Sequence, residues 1–213
     1  DRVVLLQSGD AETRRIWQQL IDISLTGFNA TYARMNVLLS NTDLAGESIY
    51  NADLPVVAAD LADRGIAVVD DGALVVFVEG FTAPAIIRNA QGGFGYTCTD
   101  LAAIRHRVGD LRADRLVYVV GAPQTFHFEQ VFAVARMAGY LPDTVSAEHV
   151  GFGQVLGADG KKFSTREGTA VTLNSLLDAA EAEAAPSIAL AAIKYADLSN
   201  GLQKDYTFDA ERM

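Results

Sequence analysis

The stretch GADGKKFSTREGTA at residues 157–170 gathers Lys161, Lys162 and Arg166 among glycines and hydroxyl side chains, directly after the apolar run that ends at Val155 and Leu156. Gly157 and Gly160 let the backbone turn sharply, while two mobile ammonium groups and a rigid guanidinium fork suit oxyanions. Ser164 and Thr165 add hydrogen-bond donors. Such a loop can close over a triphosphate and neutralise charge as the α-phosphorus is attacked. A solvated hairpin turn has the same composition, and the glycine and lysine spacing of a Walker loop is absent.

A second constellation lies in GGFGYTCTD, residues 92–100, followed by Gln124. Asp100 stands where a helix can begin, so capping of backbone N–H groups explains it, and Tyr96 has the character of a half-buried core residue. The sharper reading has both point into one pocket. A carboxylate there accepts two parallel N–H bonds from a guanidinium, and an aromatic ring faces the cation. Gln124 then supplies a neutral polar contact. His127, between Phe126 and Phe128, is either a satisfied rim residue or a ligand contact. His149 precedes VGFGQVLG, where Gly151 and Gly153 let backbone approach a flat ring, or mark a bulge. His106 is expected on a helix surface. One cysteine and three scattered histidines lead us to expect no metal site.

These side chains need elements to hold them. Asp10 can cap a long amphipathic helix over about 11–35, after which NVLLS (36–40) reads as a strand. A helix over about 54–64 is bounded by Pro55 and Gly65. IAVVD, the Asp71-Gly72 pair and ALVVFVE make a strong hairpin signal, and a second hairpin is expected from strands near 84–89 and 94–97. The pattern then changes to helix (100–108), strand (115–120), helix (126–138) and strand (147–155), with helices in the last fifty residues. Strands alternating with helices imply a parallel sheet, with ligands outside the carboxyl ends of its strands. That rule nominates the stretch after 120, with Gln124 and His127, and the cationic loop after 155.

The 213 residues suffice for one domain with a sizeable core, half of them being apolar. A formal charge of −10 argues against general nucleic-acid binding, which needs many cations to displace counterions. The single Cys98 allows no internal disulfide, apolar runs are strand-length, and no leader is evident, so we expect a cytoplasmic protein without a membrane span.

The order of segments resembles the catalytic region of arginyl-tRNA synthetases. It is carried by LQSGDAETRRIWQQLIDISL, GESIYNADLPVVAADL, GGFGYTCTDLAAIRHRV, ADRLVYVVGAPQTFHFEQVFAVARMAGY, EHVGFGQVLGADGKKFSTREG, LLDAAEA and AAIKYADLSNGLQKDYTFDAERM. The resemblance implies an α/β fold, a partial class I synthetase Rossmann fold with flanking helices, an inserted α+β subdomain and a helical C-terminal segment. The expected division is 1–83 for the N-terminal helix and insertion, 84–173 for the second half of the Rossmann fold, and 174–213 for a helical stem.

By that resemblance KFSTR is a version of the class I KMSKS loop, with Lys162, Ser164 and Arg166 in catalysis. Tyr96, Asp100 and Gln124 hold the arginine side chain. His127, Gly151, Gly153, Val155, Lys161 and Lys162 serve ATP, a substrate that comes with Mg²⁺. Partners would be L-arginine, ATP and tRNA(Arg). The HIGH signature and the anticodon-binding domain do not occur in the 213 residues, and the link near 182–187 is short for the family. The expectation is a portion of arginine–tRNA ligase that does not aminoacylate by itself. The alternative is a stand-alone paralogue that binds arginine or a nucleotide, and a third reading is an adenylyltransferase for another carboxylate.

Overall fold

The structure, a computed structural model, describes residues 2–156 and 172–207. The chain divides into two compact units, Asp1–Leu44 with Phe152–Met213, and Ala45–Gly151.

The first unit opens with α1 (Arg2–Ser8) and α2 (Ala11–Arg34), close to the helix expected from periodicity. The Asp10 carboxylate accepts the Thr13 N–H at 2.9 Å and so supplies one of the orphan bonds of the first turn. After Met35 the strand expected at 36–40 does not form. Residues 37–40 run without regular structure, and Leu38 is 98% exposed. A strand needs a ladder partner, and no such partner meets this stretch among the described residues. Ser40 instead caps a 3-10 turn, Asn41–Asp43, through a reciprocal box with Asp43.

The second unit contains α3 (Leu54–Asp63), β1 (Val68–Asp70), β2 (Ala73–Val76), β3 (Ala85–Arg88), α4 (Tyr96–Gly109), β4 (Arg115–Gly121), α5 (Thr125–Met137) and β5 (Ser146–Phe152). Asp71 and Gly72 join β1 to β2 with φ of 44° and 77°, the pair of positive values that a tight hairpin needs. The second hairpin differs from expectation. β3 pairs antiparallel with β2, making a three-stranded sheet, and Arg88 meets Phe94 only through an isolated bridge. The Asn89 side chain accepts N–H bonds from Gln91 and Gly93, which closes the turn early and releases the chain into α4.

β4 and β5 are hydrogen-bonded neighbours joined through α5. Ser146, at the start of β5, donates its N–H to Asp114, just before β4, and Arg115 pairs with Glu148. The two strands therefore start together, as a crossover helix requires. Along β4, Leu116 and Tyr118 are buried while Val117 and Val119 are exposed. The core of this unit includes Val57, Leu61, Ile87, Leu101, Ile104 and Val131. Cys98 lies within it, 3.6 Å from the Leu54 carbonyl, and burial pushes its thiol up to about 12. Asp60 ties α3 to the end of α5 by accepting from Tyr140 at 2.6 Å and Arg64 at 3.1 Å, while Arg64 also donates to the Ala138 carbonyl.

The first unit resumes with β6 (Val155–Leu156), α6 (Leu173–Glu183), α7 (Pro186–Leu198) and β7 (Tyr206–Thr207). The single strand expected at 147–155 is two. Between β5 and β6, the Gly153 N–H turns to the Leu202 carbonyl and the Gln154 N–H to the Asp205 carboxylate. β6 then pairs in parallel with β7. Only Ala184 and Ala185 separate α6 from α7, whose Leu190 and Ile193 pack with Leu177 and Met35. Arg34 of α2 binds Asn174, Asp178 and Glu181 of α6. No helix among the described residues is long and apolar enough to cross a membrane.

Candidate functional site

α4 begins after Gly95, which has no side chain to cap it, so the helix starts four residues before Asp100. Asp100 is therefore not the N-cap considered from the sequence. As the fifth residue of the helix it stands one turn beyond Tyr96, and residues four apart share a helix face. Tyr96 is 72% exposed rather than a core residue.

The Asp100 carboxylate is not turned to bulk solvent. Its Oδ2 lies 2.7 Å from His127 Nε2, and the two side chains are 26% and 24% exposed. A carboxylate only accepts when ionised, so His127 donates and its Nε2 carries the proton. His127 is the third residue of α5, preceded by a 3-10 turn, Ala122–Gln124, at the carboxyl end of β4. That turn places Gln124, exposed, three residues before the histidine. The loop after β4 is where an open parallel sheet offers its ligand crevice.

Aromatic packing holds His127. Its ring meets Phe128 edge-on with centroids 5.3 Å apart, and the buried Phe128 stacks on His149 at 5.0 Å. His149 Nε2 donates to the Val120 carbonyl at 2.9 Å, which fixes that tautomer as well. Tyr118 and Phe132 pack on the other sides of Phe128. Tyr118 is buried beneath the Arg107 guanidinium, 5.2 Å from its ring, and burial raises its phenol above the ordinary range. Gly151 on β5 passes close to the turn after β4. A Cβ there would stand 3.2 Å from Ala122 Cα and 3.2 Å from His149 Cε1.

Gly153 and Val155 belong to the first unit. A Cβ on Gly153 would fall 2.3 Å from the carbonyl carbon and oxygen of Lys204, so the glycine permits backbone to pass against backbone. Val155 pairs with Tyr206. An open cavity of about 760 Å³ is lined by Gly153, Gln154, Val155, Asp197, Lys204 and Tyr206, among others. Lys161, Lys162, Ser164 and Arg166 lie outside the described residues. Among the described residues no group of three or more His, Cys, Asp or Glu side chains is arranged to hold a metal ion. The sequence reading missed the Asp100–His127 bond. Its partners are 27 residues apart, and only the presence of an acid and an imidazole in neighbouring motifs pointed to it.

Residues 1–188 match the family described as tRNA synthetases class I (R), catalytic domain. The chain belongs to this family. It is 68% identical over 212 residues to the Arginine--tRNA ligase of Cutibacterium acnes, covering 100% of this chain and 38% of the relative. It is 47% identical over 237 residues to the Arginine--tRNA ligase of Thermobifida fusca, covering 100% of this chain and 41% of that one. The chain thus spans about two fifths of the length of these curated relatives. The second alignment is 24 positions longer than the 213 residues here (237 − 213), so the compactness shared with the first relative is not general. Among solved structures, the crystal structure of arginyl-tRNA synthetase from Plasmodium falciparum superposes with a TM-score of 0.84 at 25% identity, covering 99% of this chain and 38% of that one. A putative arginyl-tRNA synthetase from Campylobacter jejuni gives 0.71 at 14% identity, over 95% of this chain and 42% of that one, a likeness of fold. The fold is that of a class I synthetase catalytic domain, mixed α/β with parallel strand pairs.

Proposed function

We propose that this chain is the part of an arginine–tRNA ligase that orients arginine for activation by ATP. The observation that carries this reading is the Asp100 carboxylate, three-quarters buried, held by His127 and one helical turn from the open ring of Tyr96. In a socket of this kind the guanidinium of arginine donates two N–H bonds to Asp100 and lays its plane near Tyr96, with Gln124 as a neutral partner. Lysine cannot satisfy the fork, and the partly unpaired carboxylate penalises it.

With arginine held, its carboxylate oxygen attacks the α-phosphorus of ATP. The bond to the bridging oxygen of the β-phosphate breaks, pyrophosphate leaves, and arginyl-adenylate remains for transfer to tRNA(Arg). Chemistry of this kind depends on orientation and charge neutralisation more than on proton transfer. The cationic loop is assigned the phosphates, with Lys161, Lys162 and Arg166 as countercharges and Ser164 as donor, and ATP enters as its magnesium complex. Gly151, Gly153 and Val155 are assigned to the nucleotide. The 157–171 segment and the inserted subdomain belong to the same proposal, as does a cytoplasmic location. A stand-alone arginine- or nucleotide-binding protein is less well supported, because the relatives at 68% and 47% identity both carry the ligase name along the full length of this chain.

Arginine-dependent ATP–pyrophosphate exchange by the whole protein tests the proposal. D100A is expected to raise the KM for arginine by at least about a hundredfold, the worth of a charge-assisted pair of bonds. Equal thermal shifts with arginine, lysine and citrulline would remove the pocket.

A further inference from the structure

We infer that His127 serves the arginine subsite, acting through Asp100 as a positioning residue, and that it is not an ATP contact. This rests on the function proposed above and assigns to the same pocket a residue that the family resemblance alone placed with the nucleotide.

The geometry makes the case. A helical aspartate has more than one staggered side-chain orientation, and a guanidinium fork binds well to only one of them. His127 donates to Oδ2 of Asp100 at 2.7 Å, which fixes the plane of the carboxylate. It leaves Oδ1 and the second lone pair of Oδ2 for a ligand. Among the described residues, no arginine or lysine forms an ion pair with Asp100. Arg105 turns to Asp53 and Arg107 lies over Tyr118. Among the described residues the negative charge is therefore held in place by a donor but not cancelled by a fixed cation. His127 is itself braced edge-on against Phe128, and that ring is packed between Tyr118, Phe132 and His149. A chain of packed rings from the sheet thus sets the position of one carboxylate oxygen.

The test is pyrophosphate exchange by the full-length protein, with arginine and ATP varied separately, for H127L, H127Q, H127N and D100N. H127L removes the donor. H127Q keeps a donor at the reach of Nε2, whereas H127N is too short. H127L and H127N are expected to raise the KM for arginine about 10- to 100-fold, the worth of a hydrogen bond to a charged group, with the KM for ATP within about twofold of the parent. H127Q is expected to recover most of the loss. A rise in the KM for ATP equal to that for arginine would overturn the inference in favour of a nucleotide contact. A lower melting temperature with both KM values unchanged would also overturn it, leaving only a tie between helices. If H127L fails to fold, the comparison of H127Q with H127N decides. D100N separates the two levels of argument. A parental arginine KM in D100N refutes the pocket itself, whereas a large rise in D100N with none in H127N refutes only the role of His127.

Discussion

Replacing Gly153 by alanine is the most sharply defined perturbation in this fold. The added Cβ would stand 2.3 Å from Lys204 C and O and 2.7 Å from Asp205 N. Ordinary contact between such atoms begins near about 3.5 Å, so the 204–205 backbone must retreat by roughly 1 Å. The obstacle is backbone, which cannot rotate aside as a side chain does. A retreat of that size stretches the Gly153 N–H bond to Leu202 from 2.8 Å past bonding distance, and strains the Gln154 bond to Asp205 at 2.6 Å and the Tyr206 bond to Gln154 at 3.1 Å. Overpacking costs about 1–3 kcal/mol and each weakened bond about 0.5–1.5 kcal/mol, part of it returned by water, so G153A should lose about 2–4 kcal/mol. Denaturant unfolding gives the total, and amide exchange at Gln154 and Tyr206 shows where it falls. The matched control is G109A at the end of α4, where a Cβ meets nothing within 4 Å. That variant should be neutral or gain up to about 1 kcal/mol from helix propensity. A G153A protein with the parental midpoint and parental protection at both amides would refute the steric reasoning.

The phenol of Tyr206 is pushed from 10 to about 12 by burial and by its bond to Asp197. Because the folded value is the higher one, its contribution is complete below pH 10 and disappears as pH rises towards 12. Alkaline unfolding curves of Y206F should lack that decline, and identical curves for the two proteins would contradict the assignment. R34A removes the contacts of α2 with Asn174, Asp178 and Glu181, so it should lower the unfolding midpoint and speed exchange in α6, with less difference in high salt. R34K, a point charge without the planar fork, should recover only part.

Local chemistry made much of the fold legible. Asp10 marked the start of α2, Pro55 and Gly65 bracketed α3, and Asp71-Gly72 fixed a hairpin, because each acts within a few residues of itself. Strand partners are a different matter. NVLLS carries strand-forming side chains yet finds no strand partner among the described residues, and the stretch near 84–89 completed the sheet of β1 and β2 instead of building a hairpin of its own. The candidate site shows the same division. Tyr96 and Asp100 were readable as a pair from side-chain chemistry, a ring and a carboxylate that suit a guanidinium, whereas their shared helix face was not, because Tyr96 fell on an expected strand. The helix start was misplaced, since Gly95 caps without a side chain. The bond from His127 to Asp100 crosses between two helices, and spacing in the sequence does not register it. At Gly153 the absent side chain suits the close approach of a flat ring, and within the described chain it also makes room for the Lys204 peptide, a neighbour that spacing does not reveal.

Cys98 gives the molecule a built-in clock. It is the only thiol in the chain, sealed between α3 and α4, and while it is sealed burial pushes its ionisation up to about 12, so it offers almost no thiolate until the layer opens. Its modification therefore waits for the two helices to part. The rate at which a maleimide consumes it reads how often that layer breathes, with no label or engineered probe added to the protein.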